Sequence, residues 1–202
     1  MAVAAASSTN VLWFITRGTG VVSLVLLTIV MALGVANVRR LRTASIPRFV
    51  LDAVHRNAAL LAVSFVAVHV ITTLLDSYVS INPLAAVVPF AAAYKPLWIG
   101  LGAVSLDLLF AVIITSLLRR RLGHRVWRAT HWLAYGSWPV ALVHSLGAGT
   151  DASSRWMLAL AAGCTLTVLG AVAVRLSGTY DDDAPARSSA PSPRVAASWS
   201  SR

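Results

Sequence analysis

The chain has 202 residues, 57% of them hydrophobic and only 12% charged, with a net charge of +10. That composition is too apolar for an ordinary soluble domain. A single cysteine, Cys164, excludes both a disulfide framework and a cysteine-bound iron–sulfur cluster.

Residues 1–10 form a short tail. A first membrane span is predicted over about 11–38, since Gly18 to Val38 carries no charge over twenty-one residues. It lacks the basic start of a signal peptide and its apolar run is too long for one, so it reads as a true span. Arg39, Arg40, Arg42 and Arg48 fill a basic loop, and Pro47 opens a second span, about 49–75. Residues 76–95 begin Asp76-Ser77-Tyr78 and carry Pro83 and Pro89. They are semi-apolar and too broken for a spanning helix, so they are expected along the outer interface or as a lid. A third span is predicted over 96–118, interrupted only by Asp107, followed by Arg119, Arg120, Arg121, Arg125 and Arg128. A fourth, about 127–148, is uncharged from Ala129 onward apart from its histidines, and a fifth runs over about 155–176. Residues 177–202 turn to Ser, Pro, Asp and Arg and read as a disordered tail. The expected fold is an all-α membrane protein, a five-helix bundle over 11–176, within which Cys164 is a small buried apolar residue.

The positive charge follows topology. Ten arginines fall in the first and third loops or at Arg175, whereas the opposite loops hold only Lys95 and Arg155. Positively charged loops stay in the cytoplasm, which puts the N-terminus outside and the C-terminus inside. The charge therefore points to no nucleic-acid partner. Sixteen arginines to one lysine fit a GC-rich bacterial genome, hence a plasma membrane.

Within these spans His55 and His69 are fourteen residues apart, and His131 and His144 thirteen. Either interval is roughly 20 Å of helix, most of a bilayer's hydrocarbon core. The arginine topology makes the second and fourth spans parallel, so His55 is level with His131 and His69 with His144. Two stacked sites result, each offering two imidazoles, the axial ligand set of a haem, which supplies its own equatorial nitrogens. Zinc fits less well, because it wants four protein or water ligands. Another reading makes the histidines polar glue between helices. A runner-up is a non-redox transporter or assembly scaffold with histidines lining a polar path, and a third reading keeps the fold but binds one haem, the other histidine pair being structural.

The register is uneven. At about 100° per residue, His69 returns to within roughly 40° of His55, but His144 stands some 140° from His131. A distortion at Gly136 and Pro139 is expected to absorb this. Arg17, just inside the first span, either snorkels or pairs with a propionate of an outer haem, and Arg56 and Arg128 either serve an inner haem in the same way or contact lipid headgroups. Asp107 is either a buried hydrogen-bond partner or a proton-handling group. Trp138, midway between the fourth-span histidines, either sits between the haems or packs in the bundle, and His124 in the basic loop reads as a surface residue.

The region from about residue 13 to 151 resembles the ferric-reductase-like transmembrane superfamily, which includes ferric reductases, NADPH oxidases and the haem subunit of the bacterial methionine sulfoxide reductase system. The resemblance is carried by Arg17-Gly18-Thr19-Gly20, the His55/His69 spacing, Thr115-Ser116-Leu117-Leu118-Arg119, and the run from Trp127 through His131, Tyr135 and His144 to Gly149-Thr150-Asp151. It implies two b-type haems held by His55, His69, His131 and His144, carrying electrons across the lipid bilayer. Ferric reductases and NADPH oxidases append a flavin- and nicotinamide-binding module, which these residues do not include. The expected electron donor is therefore quinol or a separate flavoprotein, and the acceptor an extracytoplasmic one or a reductase subunit. Reporter fusions after Arg121 and after Arg175 should report cytoplasm, and one at Ser80 the outside; the reverse pattern would remove the basis for parallel spans.

Overall fold

A computed structural model describes residues 2–38, 48–76, 81–149 and 151–177. Among these the chain is all helix and turn, with six α-helices. They are α1 (Ala2–Val38), α2 (Arg48–Leu75), α3 (Pro96–Leu117), α4 (Arg119–His131), α5 (Leu133–Ala148) and α6 (Arg155–Leu176). The expected tail over 177–202, past Ser177, and the turn at Pro47 lie outside the described residues.

Local sequence sets the ends. α1 starts at Ala2, ahead of its apolar stretch, because alanines fill its first turns and favour helix. α3 opens with Pro96 at its first position, where a missing N–H costs nothing. α6 is capped by Ser154, whose hydroxyl accepts from the Met157 N–H at 3.4 Å. Hydroxyls inside the helices fold back on their own backbone, as in Thr28 to the Leu24 carbonyl (2.8 Å) and Thr73 to that of His69 (2.6 Å). In hydrocarbon that is how a hydroxyl avoids going unpaired.

Four helical stretches are long and apolar enough to cross a membrane: Val11–Val38, Phe49–Leu75, Pro96–Leu117 and Arg155–Leu176. Their outward side chains, Phe14, Leu60, Leu117 and Leu166 among them, are exposed on the bundle surface, as a lipid-facing side requires.

The expected fourth span is the exception. The chain over 127–148 is not one helix but the end of α4 and the whole of α5, joined at Trp132. α5 has 16 residues, about 24 Å of rise, short of a full hydrocarbon core. The irregularity sits at Trp132 and not at Gly136 and Pro139; Pro139 lies inside α5. At the joint the Trp132 N–H bonds the Ala129 carbonyl (3.3 Å) and the Tyr135 N–H that of Trp132 (3.0 Å). These three-residue steps wind about 20° further per residue than α-helix, the sense that reduces the angular mismatch between His131 and His144. The arginines expected in a loop are helical too, over Arg119–His131, with a break at Gly123, whose φ of 77° needs no side chain.

α1 packs chiefly on α2 and also meets α5 and α6, whereas α5 packs chiefly on α3. Leu24, Trp138, Cys164 and Val168 join α1, α5 and α6 in one buried cluster. Here the Trp138 indole donates to the Thr28 hydroxyl at 2.9 Å. Over α3 lies residue stretch 81–95, with a short 3-10 turn at Pro83–Ala86 whose Ala85 is buried with Ile81 and Ala92. Its Phe90 ring crosses Gly100 of α3, where a Cβ would stand 2.3 Å from the ring. Trp138→Ala should cost about 3–5 kcal/mol and Thr28→Val about 1 kcal/mol, read as shifts in the denaturation midpoint of the purified protein. A Thr28→Val loss equal to that of Trp138→Ala would mean the hydrogen bond, and not packing, dominates.

Candidate functional site

The fold brings the four spaced histidines together in two pairs. His69 of α2 faces His144 of α5, ring centres 6.3 Å apart and planes at 78°. His55 lies close enough to His131 for the two rings to interact electrostatically. Because the pairs are His69 with His144 and His55 with His131, α2 and the α4–α5 arm run in the same direction.

Three of the four rings are seated alike. His69 Nδ1 is 2.8 Å from the Thr16 carbonyl, His55 Nδ1 3.1 Å from that of Val30, and His144 Nδ1 2.7 Å from that of Trp98. A carbonyl only accepts, so each Nδ1 carries the proton and each Nε2 keeps a lone pair. Beneath the rings lie glycines. A Cβ on Gly20 would stand 2.9 Å from His69 Cε1, one on Gly34 3.3 Å from His55 Cε1, and one on Gly102 2.7 Å from His144 Cε1. The α3–α5 contact is reciprocal, since the Trp98 ring of α3 lies over Gly147 of α5, 1.8 Å from where a Cβ would be. His131 differs: its Nδ1 is buried without a hydrogen-bond partner among the described residues. The Trp127 ring covers it at 5.2 Å.

At the His69 level there is a cavity of about 310 Å³, walled by His69, His144, Gly20, Gly102, Arg17 and Asp151 among others. Thr16 Oγ1 and Ser145 Oγ, on residues of the same wall, are buried without hydrogen-bond partners among the described residues. Residues Ile81, Ala85, Ala86 and Tyr94 close one side, so the stretch 81–95 covers this space.

The other residues singled out by sequence fall in varied places. Arg17 borders the cavity, pairs with the Asp151 carboxylate and lies 4.4 Å from the Trp13 ring centre. Arg56 and Arg128 are exposed and do not border that cavity. Asp107 is half-buried on α3. Trp138 packs among α1 and α6 residues, in the cluster already described. His124 is exposed, its ring 5.5 Å from Trp127, so a line of rings runs from the surface to His131. Gly34, Gly102, Trp98 and the role of Asp151 were not legible beforehand. One signal was present: Gly20 and Gly34 are fourteen residues apart, the same interval as His55 and His69.

Apolar helices enclosing facing imidazoles define a multi-pass membrane protein with an intramembrane bis-imidazole site. The family model described as ferric reductase like transmembrane component matches residues 19–142, and the chain belongs to that family. No curated protein and no solved structure matches it. Domains of this family generally bind haem, and membership implies a role in membrane electron transfer.

Gly20→Ala and Gly102→Ala should each destabilise the protein by about 1–3 kcal/mol, because the added methyl meets an imidazole. Gly34→Ala, with more room, should cost less. Gly163 and Gly170 of α6 have nothing within 4 Å of an added Cβ among the described residues, so alanine there should be neutral or slightly stabilising. Thermal midpoints of the five purified proteins test this ranking, and equal losses at all five sites would refute the seat.

Proposed function

We propose that this protein is a di-haem b electron-transfer subunit of a membrane oxidoreductase. One haem would lie between His69 and His144 at the outer level and one between His55 and His131 at the inner level. Bound there, haem iron takes up and gives back one electron at a time.

The facing of His69 and His144 carries this reading. A metal about 2 Å from the near nitrogen of each of two opposed imidazoles sets the ring centres roughly 6 Å apart, and these two stand at 6.3 Å. The tautomer agrees, since Nδ1–H on a carbonyl leaves Nε2 as ligand and raises its basicity. The cavity of about 310 Å³ walled by both rings leaves room for a group beside them. Among the described residues no three His, Cys, Asp or Glu side chains gather into a metal site. Pairs of imidazoles suit a cofactor that brings its own equatorial ligands.

The chain's own residues then divide the work. His55, His69, His131 and His144 hold the irons. Arg17 serves the outer propionates, in exchange with its Asp151 partner, and Arg56 and Arg128 serve the inner ones. α5, continued by the last turns of α4, completes a fifth crossing, with the N-terminus outside and the C-terminus in the cytoplasm of a bacterial cell. The donor is quinol or a separate flavoprotein, and the acceptor lies on the outer side.

Haem stoichiometry tests the pairing. Each single His→Ala substitution should lower the haem-to-protein ratio from two towards one. Combining His55→Ala with His131→Ala should do little more than either alone, whereas His55→Ala with His144→Ala should approach zero, since partners in one site couple and separate sites add. Coupling between His55 and His144 instead, or a colourless wild-type protein, would overturn the reading.

A further inference from the structure

Three imidazoles share one device, and it has a register. The carbonyl that receives each Nδ1–H belongs to the residue four positions before the glycine under the ring: Thr16 for Gly20, Val30 for Gly34 and Trp98 for Gly102. In an α-helix that carbonyl already accepts the glycine's own N–H. Its second lone pair is reachable because the glycine has no side chain.

On α3 the device should recur for His131 and does not. Thirteen residues separate His131 from His144, and thirteen past Gly102 stands Thr115. The Thr115 hydroxyl donates to the Ala111 carbonyl at 2.7 Å and lies 3.2 Å from that of Val112. The carbonyl four positions back is thus taken by the residue standing where glycine would be. His131 Nδ1 is left buried and unpartnered among the described residues.

We infer that the two haem sites are unequal and that the His55/His131 site has the higher reduction potential, set by the Thr115 block on the His131 seat. This rests on the di-haem reading. A ligand imidazole that donates its Nδ1–H is more basic and favours the ferric iron; without an acceptor it donates less and favours the ferrous iron. The His69/His144 site has two donating ligands and the His55/His131 site one. Arg175, 4.4 Å from the centre of the Trp132 ring next to His131, adds positive charge at this level and acts in the same direction, while Arg17 pairs with Asp151 at the other level. Thr115 is a positioning residue, acting only through the carbonyl it occupies.

Spectroelectrochemical titration of the purified, haem-loaded full chain tests this, with the haem-to-protein ratio measured on the same sample. Two resolved steps are expected, and His131→Ala or His55→Ala should delete the higher one. Thr115→Gly should free the Ala111 carbonyl and move the higher step towards the lower, leaving the lower unmoved. Thr115→Ala, which frees the same carbonyl but keeps a Cβ beside it, should shift it less than Thr115→Gly, and Thr115→Ser, which keeps the hydroxyl, should not shift it. Gly102→Ala, pushing His144 off its seat, should raise the lower step. A ratio of two with a single unresolved step, with the higher step surviving His131→Ala, or with neither Thr115→Gly nor Thr115→Ala shifting it, overturns this inference alone. A ratio below two overturns the di-haem reading and this inference with it.

Discussion

An imidazole in the hydrocarbon layer has two ring nitrogens to satisfy and no water to satisfy them. At His55, His69 and His144 the protein gives one nitrogen a backbone carbonyl, which leaves the lone pair on the other. The carbonyl is accessible only if the facing helix comes close, and it comes close only over glycine. The bundle's pairing follows: α1, with Gly20 and Gly34, must lie against α2, and α3, with Gly102, against α5. The cavity at the His69 level lies where the histidine faces of these two helix pairs meet.

Much of this was legible in the sequence because it depends on long apolar runs and on counting. The stretches around residues 11–38, 49–75, 96–117 and 155–176 need no tertiary context, since lipid compels helix in each. Fourteen residues on a regular α2 bring His55 and His69 near one face. The α4–α5 arm was harder. Proline is the usual cause of a kink, yet Pro139 sits within α5 and the winding changes at Trp132, beside the histidine itself. Nothing in the periodicity marks that joint, because a 3-10 step has no sequence signature as strong as proline's.

The glycine seats were illegible for a different reason. A glycine in an apolar helix is common in membranes, so Gly34 and Gly102 carry no signal until the facing helix is known. Arg17 likewise has several credible partners from sequence; only the fold brings Asp151, far along the chain, to its guanidinium. Contacts between distant segments are set by packing, and a single chain read alone does not contain them.

The reciprocal lock between α3 and α5 has a consequence for speed. His144 rests on Gly102 while Trp98, whose carbonyl holds His144, rests on Gly147 of His144's own helix. Neither ring has room to tilt without moving the other helix. In the di-haem reading, His144 would hold its iron with little freedom to shift. The rigidity that holds the helix pair together would then also keep nuclear rearrangement small, and with it the barrier to electron exchange.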